Sequence, residues 1–102
     1  VPGNYTKVLT GKAAAYSARK GAKTASGRYA IPGHVAVDPR IIPYGTKLYI
    51  ATPDNSFVYG YAVAADTGTA LREGKIILDL FFNTYEETCR FGIKNVNIYV
   101  LE

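Results

Sequence analysis

The sequence predicts a mostly β domain that closes as a small barrel with one or two short helices. Three observations predict it. Short stretches rich in Val, Ile, Tyr and Phe recur along the chain, set apart by proline- and glycine-containing turns. Only one segment carries clear helix punctuation. A chain of 102 residues makes one domain, residues 1–102, and buries roughly 60–70% of its unfolded surface without staples. Closure is the natural architecture for many short strands, because it removes exposed edges.

Val1–Asn4 are expected to fray. Lys7–Ser17 is expected to form a strand, although Ala13, Ala14 and Ala15 are weak strand formers. Val35–Val37 is a short apolar strand. Asp38–Gly45 follows as a loop, held by Pro39 and Pro43 and ended by Gly45. Thr46–Ile50 alternates Leu48 and Ile50 against Lys47 and Tyr49, and Phe57–Ala65 is rich in aromatic, β-branched and small residues. Lys75–Phe82 is an apolar run bounded by Gly74 and Asn83, as in a strand buried on both faces. Thr84-Tyr85-Glu86-Glu87 is a capping box, and Gly92 sits where a terminal glycine would end a helix of about two turns. Cys89 falls in that helix and reads as a small packed residue. Val96, Ile98 and Val100 share one face of a last strand.

Composition excludes several classes. No apolar run approaches the ~20 residues of a membrane span. Val1–Asn4 has neither the basic nor the apolar region of a signal peptide, which fits a cytosolic chain and equally a mature or excised domain of a secreted protein. One cysteine and one histidine make neither an intrachain disulfide nor a Cys/His zinc site. No metal or cofactor is expected. Charge is split along the chain. Residues 1–37 hold six bases and no acid, whereas all eight acids lie from Asp38 onward beside six bases. That split suits an anionic polymer held beside an acidic site, and equally a solvated surface of uneven sequence.

Three acids are attached to apolar strands. Asp38 follows Val35–Val37, Asp66 follows Tyr61–Ala65, and Asp79 interrupts Ile76-Ile77-Leu78 and Leu80-Phe81-Phe82. Asp38 before Pro39 fits an Asx turn, and Asp66 before Thr67-Gly68 fits a turn acceptor. Asp79 must either face a polar cleft or pair with a base such as Arg72 or Lys75, because an unpaired buried carboxylate is costly. If the strands share one barrel, the three carboxylates converge on one cleft.

The segments Ala15-Tyr16-Ser17, Thr24-Ala25-Ser26-Gly27, Val35 to Ile50, Ala65-Asp66-Thr67-Gly68 and Asp79-Leu80-Phe81-Phe82 resemble, in order, the 3D domain, named for its three aspartates. The resemblance runs from about Lys7 to Leu101. It implies a six-stranded double-psi β-barrel, related to the catalytic barrel of membrane-bound lytic transglycosylase A. The family occurs in secreted cell-wall proteins of Gram-positive bacteria, including stationary-phase and sporulation muralytic proteins. Peptidoglycan glycan strands are the implied partner, with no membrane insertion. The implied reaction breaks the β-1,4 bond from N-acetylmuramic acid to N-acetylglucosamine without water and leaves a 1,6-anhydro product. By position, Asp79 maps to the catalytic acid/base, Asp66 to its orienting partner and Asp38 to the first aspartate. Thr24 and Thr67 are candidate hydrogen-bond donors to substrate, with Lys23 beside them. Three positions depart from the family pattern. Ala14 stands where Thr is usual, Thr69 where Gly is usual, and the segment from Asp66 to Asp79 is about two residues longer.

Tyr16, Tyr44 and Tyr61 are candidate sugar-stacking residues among aromatics that otherwise pack. His34 is a lone loop histidine. Two other functions compete. One is a non-catalytic, expansin-like wall-binding or wall-loosening module, motivated by Ala14 and Thr69. The other is a nucleic-acid-binding barrel, motivated by the basic N-terminal third; no strand interleaves aromatics with bases as that would need.

Overall fold

The computed structural model describes residues 2–102. Six strands and two short helices follow in order. They are β1 (Tyr5–Tyr16), β2 (His34–Ala36), β3 (Lys47–Ala51), β4 (Val58–Asp66), α1 (Thr69–Arg72), β5 (Leu78–Phe81), α2 (Tyr85–Phe91) and β6 (Lys94–Leu101). Of the expected frayed start, Pro2–Asn4 precede β1 outside any strand, and Val1 lies outside the described residues.

The strands close into a barrel in the order β1-β5-β2-β4-β3-β6. β1 and β5 run parallel, as do β2 and β4, and the other four neighbouring pairs are antiparallel. Adding three to each strand number, with wrap-around, returns the same circular order. This internal two-fold is the double-psi arrangement. It maps the pair β2·β5 onto itself and β3·β6 onto itself, so these two pairs lie on opposite walls.

The alternation read from the sequence sets the core. Leu48 and Ile50 of β3 pair with Val100 and Ile98 of β6, and Val96, Val35, Ala64, Leu78, Leu80 and Ala13 complete the interior. A small barrel tapers, so alanines at 13, 62 and 64 fill positions where larger side chains would overpack. Burial of each large aliphatic residue contributes about 1.5–3 kcal/mol before conformational entropy is subtracted.

α2 forms as its punctuation predicts. The Thr84 hydroxyl accepts from the Glu87 amide, and Glu87 accepts from the Thr84 amide. Gly92 ends the helix at φ 64°, a backbone conformation in which a side chain would strain. Cys89 is exposed, contrary to the expectation of a packed residue. Thr88 and Phe91 carry the buried face, because they lie on the side that meets the barrel. α1 has no side-chain cap and was not legible as a helix.

The run 75–82 is shorter as a strand than its composition suggests. Only Leu78–Phe81 pair, and Lys75 to Ile77 lead out of the turn made by Glu73 and Gly74. Both faces of β5 are nevertheless covered. Leu78 and Leu80 point into the barrel, while Asp79 and Phe81 point outward under the long segment between β1 and β2.

Candidate active site

The outward face of β5 carries Asp79, whose two strand neighbours fix what it meets. Ala14 of β1 lies beside it on one side and Ala36 of β2 on the other. Ala36 in turn pairs with Asp66, the last residue of β4. The register of β2 against β4 slips by one between Val35, which pairs with Ala64, and Ala36. Without that slip Ala36 would oppose Ala65, and Asp66 would turn to the other face. The bulge therefore brings Asp66 and Asp79 to one surface, two strand spacings or roughly 10 Å apart across the sheet.

Asp66 is tightly held. Its Oδ1 accepts from the backbone amides of Ala25 and Thr67, both at 2.9 Å, and its Oδ2 accepts from the Tyr16 hydroxyl at 3.4 Å. The Ala25 contact docks the segment 23–29 onto the end of β4, where the Ser26 amide also donates to the Ala65 carbonyl. Asp79 differs. It is half-buried, and its Oδ1 is buried with no hydrogen-bond partner among the described residues. Burial, and then the charge of Asp66, push its carboxyl up to about 6. Burial and the same two carboxylates push the Tyr16 phenol up, which keeps it a hydrogen-bond donor. The Tyr16 ring packs edge-on against Phe81 at 5.4 Å. Phe81 also lines a groove of about 540 Å³ with Ala18, Lys20, Tyr29, Ile31 and Asn83, beside the β1–β2 segment.

Asp38 does not join this pair. Its carboxylate accepts from the Arg40 amide in an Asx turn and from the Arg40 guanidinium at 3.0 and 2.8 Å. It lines a separate cavity with Lys12, Ile42, Leu71 and Lys75. Arg40 also donates to the Arg72 carbonyl at 2.7 Å, so Asp38 ties the 38–45 loop to α1. Neither Arg72 nor Lys75 pairs with Asp79; Lys75 pairs with Glu73.

Thr24 is buried, but its hydroxyl is spent within its own loop, donating to the Arg28 carbonyl at 2.9 Å and meeting Ser26. Lys23 lies over the Tyr29 ring at 5.6 Å. The Thr67 hydroxyl is buried without a partner among the described residues, and its amide helps to hold Asp66. His34 begins β2 with its Nδ1 at 2.6 Å from the Tyr29 carbonyl, a structural contact. From the sequence Tyr16 reads only as a sugar-stacking ring. Its place two residues after Ala14 on a strand was the available signal, because residues i and i+2 share a face.

A barrel with a bulge-positioned aspartate pair is the setting in which relatives become informative. Residues 33–102 match the 3D domain family, and the chain belongs to that family. Over 67 residues, 66% of the chain, it is 43% identical to YabE of Bacillus subtilis, which is described as a cell wall shaping protein. Over the same length it is 40% identical to YocH of that organism, described as a cell wall-binding protein. The chain's match spans 14% of YabE and 21% of YocH.

Proposed function

We propose that this domain is a peptidoglycan lytic transglycosylase, acting in the cell wall of a Gram-positive bacterium as part of a secreted protein. The observation that carries the reading is the unlike pair of carboxyls. Asp79, raised to about 6 in its half-buried site, holds its proton in mild acid up to about pH 6 and in a minor fraction at neutral pH, while Asp66 sits in a cage of three donors. One acid of that kind performs both proton transfers of the reaction. Asp79 gives its proton to the glycosidic oxygen as the bond from C1 of N-acetylmuramic acid breaks. The C6 hydroxyl oxygen of the same sugar closes on C1, and its proton passes to the Asp79 carboxylate. The acid is restored and no water is consumed. The Asp66 charge favours the positive character that develops at C1.

The relatives support the wall as the site of action, since their names speak of cell wall shaping and binding. One observation favours a second reading, a non-catalytic wall-binding module. Ala14, opposite Asp79, offers no hydroxyl, and Asp79 Oδ1 is left without a partner.

Mass spectrometry of products from purified sacculi, wild type beside Asp79→Asn, separates the two. Anhydro-ended fragments from wild type alone are expected. Reducing-end fragments would mean a hydrolase, with water as the nucleophile. No product from either protein, with retention on sacculi intact, would leave the binding module.

A further inference from the structure

Four tyrosines form a row across the barrel wall opposite the acids. Tyr49 of β3 pairs with Tyr61 of β4 on one side and with Tyr99 of β6 on the other. Tyr5, at the start of β1, closes the row against Tyr99. Successive ring centroids are 5.0, 6.1 and 5.1 Å apart, each pair edge to face. These rings lie outside the core, which Leu48, Ile50 and Ile98 fill from the inward side of the same strands. Cross-strand packing explains why the rings touch one another. It does not explain why the outermost, Tyr61, is left 68% exposed.

The surroundings of the row are polar and basic. On the face of the row, Lys47 lies two residues from Tyr49 and Lys12 pairs with Asn95, whereas Lys7, opposite Val100, and Lys94, opposite Ala13, belong to the other face; β1, β3 and β6 carry no acid. Thr10 faces Asn97, and Lys12 faces Asn95, in the rows beside the tyrosines. An aromatic strip edged by amides, hydroxyls and cations fits one chemistry well. The C–H face of a pyranose stacks on a ring, its hydroxyls and acetamides bond to Asn, Thr and phenol groups, and carboxylates along the polymer meet the lysines. Each ring-to-ring step is comparable to the length of one pyranose unit. The edge-to-face tilts mean that a bound strand meets ring faces and phenolic hydroxyls in alternation.

We propose that this wall is a second glycan-binding surface, which seats an anionic aminosugar strand apart from the Asp66/Asp79 pair. The choice of peptidoglycan as occupant rests on the function proposed above. The row centres on β3·β6, the self-mapped pair across the barrel from β2·β5, so one strand bound there leaves the surface at the acids open to another. Holding the wall at this surface raises the effective concentration of glycan at the acids.

The test is retention on purified sacculi stripped of teichoic acids, with Asp79→Asn as the parent so that cleavage does not intrude. Tyr61→Ser and Lys47→Glu alter exposed side chains and are first checked for unchanged melting. Each is expected to lower retention about five-fold, the size of one lost aromatic or ionic contact, and added salt is expected to weaken the parent more than Lys47→Glu. Unchanged retention in both variants overturns the second surface. If retention is unchanged while the wild type still releases anhydro fragments, this inference fails and the enzyme reading stands. If retention falls but no fragment is ever released, the surface stands and the enzyme reading fails. Binding of the parent only to sacculi that keep their teichoic acids also overturns the proposal.

Discussion

Ala14 of β1 stands directly beside Asp79 of β5 in the parallel ladder, on the same outward face. A methyl group is therefore the nearest strand neighbour of a carboxyl whose Oδ1 has no hydrogen-bond partner among the described residues. Ala14→Ser places a hydroxyl there. Donation to Oδ1 favours the ionised form, so the Asp79 titration is expected to move down from about 6 by about one unit. NMR titration of the carboxyl reads this directly. An unmoved titration would mean that the serine hydroxyl does not reach Asp79.

Asp79 also couples stability to pH. Its carboxyl titrates at about 6 in the fold against an ordinary value of 3.8. Between those values the folded protein holds more protons than the unfolded chain, so stability falls as pH rises. Below 3.8 the cost is absent; above about 6 it is fully present. Asp79→Asn removes the titration. It is expected to stabilise the protein by about 2 kcal/mol near pH 7.5 relative to its effect near pH 3.5, the full shift of ~3 kcal/mol being reduced by solvent screening of a half-buried group. Urea unfolding at the two pH values checks the difference.

Asp38 has the opposite sign. The Arg40 side chain and amide hold its carboxyl below the usual carboxylate range. The contribution is present above the unfolded pKa and is lost as pH falls through the lower folded value. Arg40→Ala is expected to lower the melting temperature at neutral pH, with the difference from wild type closing in strong acid. Glycan cleavage in neutral buffer is expected to persist, because the Asp38 carboxylate is taken up by Arg40 and lines a cavity to which Asp79 does not contribute.

Tyr16 positions Asp66 through its hydroxyl. Tyr16→Phe keeps the contact with Phe81 and removes one donor from the cage. A stability loss of about 1 kcal/mol is expected, together with a several-fold fall in anhydro-fragment release. Equal release from the two proteins would show that the two backbone amides suffice to hold Asp66.

The local parts of this protein were legible in its sequence. Leu48 and Ile50 against Lys47 and Tyr49, or Val96 and Ile98 against Asn95 and Asn97, state which side faces the core, because strand side chains alternate. Thr84, Glu87 and Gly92 mark the ends of α2, because capping is a short-range hydrogen-bond pattern. The Asx-turn reading of Asp38 was available from Asp38-Pro39-Arg40 for the same reason. The lone acid in the run 75–82 announced that one face of that strand served something other than the core. Which acids would meet was a matter for the tertiary structure. Asp66 joins Asp79 through a one-residue register slip between β2 and β4, and periodicity does not reveal a bulge made by a distant partner strand. Asp38 leaves the group because Arg40 and α1 claim it. Thr24 lies in a loop that consumes its own hydroxyl, and Cys89 sits on the solvent side of a helix whose docking face only the barrel defines. Sequence determined the faces, since these follow from backbone period. Tertiary pairing decided the neighbours, since a carboxyl's chemistry depends on what lies across the next strand.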